Sequence, residues 1–167
     1  MIDAAEVYDA YLDRVYAFLA YRVRSTADAE DLTSATFERV VRSASRFDPD
    51  LGSLATWVFA IAERVLIDHY RKQARRDEQL LNEDSALGAG IEDQHAIGIA
   101  PELQHALSRL SERDRCVIGL RFGGDLSGKE IAQIVGLSDA NVHQVLSRAL
   151  RALRAELEKS GAGGSRR

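Results

Sequence analysis

The chain has 167 residues, 46% of them hydrophobic and 29% charged, with only two prolines, which gives room for one ordinary domain or two small ones with packed cores. No apolar run approaches the ~20 residues of a membrane span, and the lone Cys116 excludes an internal disulfide or a thiolate cluster. The acidic start MIDAAEVYDAYLDR lacks a basic, apolar export signal, so a cytoplasmic protein is expected.

Helical periodicity recurs throughout, so the expected fold class is all-α. The net charge of −4 hides an alternation. Residues 1–63 carry a net −5, residues 64–76 a net +4, residues 77–100 a net −6 and residues 101–167 a net +3. Two positive segments suit phosphate, while the acidic remainder suits another partner. A chain that is acidic overall binds free DNA poorly, which points to a larger partner carrying part of any DNA contact.

The first predicted helix covers residues 3–24, with Tyr8, Tyr11, Leu12, Val15, Tyr16, Leu19 and Val23 on one core-facing stripe. Ser25 or Thr26 caps the second, residues 27–46, in which Phe37, Val40, Val41 and Ala44 supply the buried side. Its first turn holds Asp28, Glu30 and Asp31, which suit the positive end of the helix dipole and equally a docking surface for a basic partner. Pro49 and Gly52 break the chain, and Ser53 caps a third helix over residues 54–76. Leu54, Trp57, Val58, Ile61, Ala62 and Val65 form its apolar face, Trp57 included in the core. Its end is basic: Arg64, Arg71, Lys72, Arg75 and Arg76 cluster with His69 and Tyr70, more positive charge than the helix dipole calls for, and nucleic-acid contact is the favoured reading. His69 follows Asp68, yet no nucleophile or metal-ligand spacing accompanies it. No catalytic, metal or cofactor site is assigned.

Residues 77–100 are acidic, glycine-punctuated and weakly periodic, and read as a flexible linker. At full extension 24 residues reach ~80 Å, so the two halves need not touch. Pro101 opens a further helix with Leu103, Ala106, Leu107 and Leu110 inward. Ser111 caps another, carrying Cys116, Val117, Leu120 and Phe122, and Gly123-Gly124 turns the chain. Then SGKEIAQIVGLSDANVHQVLSRAL spans residues 127–150. Ser127 and Glu130 form an S-x-x-E capping box, Gly136 stands where a helix end needs a left-handed residue, and Ser138 caps a longer helix. In that helix Val142, Val145, Leu146, Ala149, Leu150 and Leu153 face inward. Asn141, His143, Gln144, Ser147, Arg148 and Arg151 point outward, with base-reading and phosphate-reading chemistry. This is a helix-turn-helix, or else an ordinary helical hairpin. The tail, residues 161–167, reads as disordered.

Two stretches in this order carry a resemblance. DAEDLTSATFERVVRSASRFDPDLGSLATWVFAIAERVLIDHYRKQARR resembles the sigma-2 domain of the extracytoplasmic-function (group IV) sigma factors, and LSERDRCVIGLRFGGDLSGKEIAQIVGLSDANVHQVLSRALRALRAEL resembles their sigma-4 domain. The resemblance implies a sigma-2-like bundle over residues 1–76, the linker 77–100 and a sigma-4-like helix-turn-helix domain over residues 101–160. It also implies a protein that binds core RNA polymerase, through the β′ clamp and β flap, and directs it to promoter DNA. Asp28, Glu30, Asp31, Leu32 and Phe37 would dock on the β′ clamp. Asp48, Asp50, Leu51, Gly52 and Ser53 would hold a flipped base of the −10 element, with Arg64, His69, Arg71, Lys72 and Arg75 along the backbone. Ser138, Asn141, His143, Gln144, Ser147, Arg148 and Arg151 would serve the −35 element. An anti-sigma factor is an expected partner, and no membrane is. The family commonly has a Gln-Glu or Gln-Asp pair where Ser34-Ala35 stand here, which removes one acid; phosphorylation of Thr33, Ser34 or Thr36 would restore negative charge. His143 and Val145 replace residues that are often basic in the family. The rival reading is a stand-alone regulator that binds a duplex operator as a dimer with two half-sites.

Overall fold

A computed structural model describes residues 1–82 and 99–162. Among these residues the chain is helical, with no strand: α1 (Ala4–Ala20), α2 (Thr26–Ser43), a short 3-10 turn (Ala44–Arg46), α3 (Leu54–Asn82), α4 (Pro101–Ser108), α5 (Glu112–Ile118), a π turn (Gly119–Gly123), α6 (Gly128–Val135) and α7 (Asp139–Ala162). The predicted caps form. Ser25 accepts from the Asp28 amide, Ser53 from Thr56, Ser111 from Asp114 and Ser138 from Asn141. Ser127 and Glu130 close the capping box, and Gly136 ends α6 at φ 72°.

Several boundaries differ from expectation. The first helix stops at Ala20, because Arg22 and Val23 both turn back onto the Leu19 carbonyl to reach the cap at Ser25. α3 continues six residues into the segment expected to be linker: residues 77–82 hold neither glycine nor proline, so nothing ends the helix. The remainder of that segment, residues 83–98, lies outside the described residues. α7 runs on through Ala162, so the expected tail begins at residue 163, also outside them.

The two halves share one core. Phe18 of α1 and Phe59 of α3 meet edge to face at 5.8 Å. The same cluster of buried side chains continues through Leu120, Leu126, Ile131 and Val142 of the second half. Each such side chain contributes ~1.5–3 kcal/mol on burial. The expectation that the halves need not touch is therefore overturned: α1 packs on the π turn and α3 on α6. Glycines make the approach possible, since a Cβ on Gly123 would stand 2.7 Å from the Phe18 nitrogen. A smaller cluster of Leu107, Leu110, Ile118 and Ala149 ties α4 and α5 to α7.

Four side chains expected inside are exposed: Tyr8, Val41, Phe122 and Leu150. Tyr8 sets its ring edge against Phe37, half covered at the margin of the core. The π turn moves the inward positions to Gly119, Leu120 and Gly123, leaving Phe122 outside. Val41 and Leu150 lie just off the buried stripes of their helices. Trp57 is partly buried against the core and tilts onto Phe47 at 5.5 Å, consistent with a packing role.

Candidate nucleic-acid interface

α7 presents an exposed polar face through its first turns. Val142, Val145 and Ala149 are buried, while Asn141, His143, Gln144, Ser147, Arg148 and Arg151 are all exposed on the other side. Ser138 is spent on the cap, accepting from the Asn141 amide at 3.1 Å. Two members of the set have protein partners. Arg148 reaches the largely buried Asp114 of α5 at 3.2 Å, so it pins α7 to its support. His143 lies 3.5 Å from Asp139, one turn back.

The loop before α3 is an exposed, self-braced turn. Asp48 accepts from the Asp50 amide through its side chain and from the Leu51 amide through its carbonyl. This leaves Leu51 projecting, 81% exposed. Ser53 is not free in the same way: its Oγ donates to Glu130 Oε1 of α6 at 3.1 Å.

Arg64, Arg71 and Arg75 recur at seven and eleven residues, so they form one exposed stripe on α3 with Lys72 beside it. Asp68 sits within this stripe, bonded to Arg39 of α2 at 2.7 Å, and that hydrogen bond holds its carboxyl below the ordinary carboxylate range. His69 leaves the set. It points to another side of α3, 4.0 Å from Asp28, and lines a cleft of about 500 Å³ between the halves with Arg22, Tyr70 and Arg115. It lies roughly 120–160° around the helix from Arg64, Arg71 and Arg75.

On α2 the expected docking residues divide. Glu30 and Asp31 are exposed and Asp28 is half-buried, but Leu32 and Phe37 are 7% and 6% exposed, inside the core. They face α1 and α3, as their helical phase demands, and support the surface without forming it. The outward stripe is Glu30, Asp31, Ser34, Glu38, Val41 and Arg42. Glu38 and the 59% exposed Val41 lie outside the expected set, although spacings of four and seven residues from Ser34 put them on this same face. Thr33 and Thr36 are buried and donate to the Ala29 and Leu32 carbonyls, closed to modification as the helix stands; of the three hydroxyls near the missing acid only Ser34 is exposed.

The comparisons with known proteins cover both halves of the chain. The family model described as Sigma-70 region 2 matches residues 7–76, and Sigma-70, region 4 matches residues 106–155. The ECF RNA polymerase sigma factor SigX of Bacillus subtilis is 31% identical over 160 residues, which cover 91% of this chain and 82% of that protein. RpoE of Cereibacter sphaeroides is 32% identical over 155 residues, covering 90% and 83%. BldN of Streptomyces coelicolor is 30% identical, and there the match spans 57% of the relative's length. Among solved structures, the sigma factor RpoE of Bartonella quintana, in complex with the anti-sigma factor NepR, superposes at a TM-score of 0.71 over 92% of this chain and 96% of that one, at 20% identity. CnrH in complex with the cytosolic domain of CnrY gives 0.68 over 93% and 88%, at 21% identity. With both regions matched in order and relatives above 30% identity along most of their length, the chain belongs to the extracytoplasmic-function RNA polymerase sigma factors of the sigma-70 family.

Proposed function

We propose that the chain is an alternative sigma factor that docks on core RNA polymerase and selects promoters in the cytoplasm. The outward face of α2, with Glu30, Asp31, Glu38 and Val41, meets the β′ clamp. The Asp48–Asp50–Leu51 turn and Gly52–Ser53 capture a flipped base of the −10 element, and Arg64, Arg71, Lys72 and Arg75 follow the backbone. Asn141, His143, Gln144, Ser147 and Arg151 enter the −35 major groove, the β flap holding their domain, and Arg148 acts there while anchored to Asp114. Residues 1–76 and 101–160 serve as the two functional units. An anti-sigma factor is the expected silencing partner; no helix among the described residues is long and apolar enough to cross a membrane.

The observation that carries this reading is the joint presence of an exposed polar α7 face and an exposed arginine stripe on α3, one in each sigma region. The chemistry offered is recruitment and base capture. Run-off transcription with core polymerase and a pool of random promoter sequences tests it. Initiation that depends on this protein and selects two separated elements is the expected result. Specific binding of free duplex as a dimer, without initiation, assigns the chain to stand-alone regulators instead.

A further inference from the structure

α7 opens on an acid that its exposed polar face does not use. Ser138 caps the helix, so Asp139 is its first residue, at the end where backbone amides are free and the dipole favours a carboxylate. That role alone would leave the carboxylate in solvent or over the amides of α7. The Asp139 side chain is instead turned onto α6. Its Oδ1 is buried and accepts no hydrogen bond among the described residues. It lies against Gly128, the first residue of α6, where a Cβ would stand 2.6 Å from it. A buried carboxylate oxygen without a donor is unfavourable, so the helix dipole does not account for this placement.

His143 is the donor that faces it. The histidine stands one turn on from Asp139, with the acid on the N-terminal side, the favourable order for a pair spaced by four. Its Nε2 is 3.5 Å from Asp139 Oδ1. The same ring edge rests on Gly128, whose Cβ would stand 3.2 Å from Nε2 and 3.5 Å from Cε1. The missing side chain at Gly128 therefore makes a seat that both side chains share, and any other residue there would fill it. An ionised Asp139 can only accept, so Nε2 carries the proton of the pair and Nδ1 is the nitrogen left for DNA. The His143 side chain is 68% exposed. An imidazole held by nothing would have to be ordered as it met a base edge, whereas one held from behind through Nε2 is ordered beforehand.

We propose that Asp139 is a positioning residue for −35 recognition: seated against Gly128, it holds His143 through Nε2 and so sharpens the choice of base that this histidine makes. The inference rests on the sigma-factor reading above, in which His143 enters the −35 groove. Asp139 and Gly128 themselves take no base.

The test uses the full chain with core polymerase. The promoter pool is randomised over the −35 element, the −10 element is held at the sequence the wild type selects, and each template carries a transcribed barcode for sequencing. His143→Ala should lose roughly five- to tenfold of the discrimination at one −35 position. Asp139→Ala and Gly128→Ala should each lose roughly threefold or more at that same position and leave the others unchanged. Asp139→Ala/His143→Ala should match His143→Ala within about twofold, because Asp139 then has no ring to hold. Losses spread over all −35 positions in Asp139→Ala, or a loss that adds to that of His143→Ala, overturn the positioning role. A wild-type preference in Gly128→Ala overturns the seat. His143→Ala with the wild-type preference at every position overturns the proposal and leaves the sigma reading intact. A wild type that initiates from no template overturns the sigma reading and this inference together. Far-ultraviolet circular dichroism should be unchanged in all variants, since the Ser127 and Ser138 caps remain. Should Asp139→Ala lose helix, Gly128→Ala decides alone, because it removes no charge and displaces only side-chain ends.

Discussion

Replacing Arg22 with methionine is the sharpest probe of what holds the halves together. Arg22 is 5% exposed, a guanidinium taken almost wholly out of water. It lies 3.1 Å from Glu63, whose side chain is 19% exposed, and 3.3 Å from Glu112, whose side chain is 61% exposed. Methionine keeps an apolar stem of similar length under Phe18 but strands Glu63 without its cation. Breaking a fully buried pair costs ~3–5 kcal/mol. Glu63 keeps some contact with solvent, so ~2–3 kcal/mol is the expected loss, and the wet Glu112 contact accounts for less than ~1 kcal/mol of it. At ~2–4 °C per kcal/mol for a chain of this size, Arg22→Met should lower Tm by ~4–12 °C. Glu112→Gln should lower it by no more than ~4 °C by the same conversion. Calorimetry on the wild type, Arg22→Met, Glu63→Gln and Arg22→Met/Glu63→Gln completes the cycle, with Glu112→Gln measured beside it. The double variant should recover part of the loss, because no charge is left stranded. Equal losses for Arg22→Met and Glu112→Gln, or no recovery in the double variant, would refute this account of the buried bridge.

Other outcomes follow from the same structure. The Glu130 carboxyl, though burial pushes it up, is held below its ordinary value of 4.5 by hydrogen bonds from Ser127 and Ser53. A depressed acid stabilises the fold at and above its ordinary value and loses that contribution as pH falls through its folded value, so acid unfolding monitored by circular dichroism should show a shallower acid limb in Glu130→Gln. Ser127→Ala, lacking the other arm of the capping box, should cost ~1 kcal/mol at neutral pH in urea titration. Burial, opposed in part by Arg22, pushes the Cys116 thiol up to about 12, so at pH 8 only about one part in ten thousand is thiolate and Ellman's reagent should react at the free-thiol rate only after denaturation; native reactivity at that rate contradicts the packing. In promoter complexes, Arg71→Ala and Arg75→Ala should each reduce the salt slope of binding by ~1 without changing sequence preference. Asn141→Ala or Gln144→Ala should relax preference at one −35 position by ~1–3 kcal/mol. A uniform loss across sequences would remove those two from base reading.

Much of this molecule is legible in one dimension because its local signals are strong. Ser25, Ser53, Ser111, Ser127 and Ser138 each announce a helix through a single side-chain oxygen near free amides, and each caps one. Gly136 marks a left-handed end that few other residues tolerate. The outward residues of α7 follow from the phase of Val142, Val145 and Ala149. The proposed docking face of α2 was read less fully. The resemblance added Leu32 and Phe37 to the acids of its first turn, whereas the phase of the helix buries both and exposes Glu38 and Val41. His69 belonged by composition to the basic cluster, and by helical angle to the cleft beside Asp28.

The sequence by itself determined the helices, their caps, the polar face of α7 and membership of the family, because hydrogen-bond satisfaction at helix ends and the apolar period are properties of neighbours in the chain. Only the tertiary structure decided that the two halves share a core, that α3 runs on beyond residue 76, and that Ser53, Arg14 and Arg22 bind partners 77, 110 and 90 residues away. Those contacts depend on the close approach that Gly123 and Gly124 allow. Such an approach has no period and no local signature, since its energy comes from surfaces that meet only after both halves have formed.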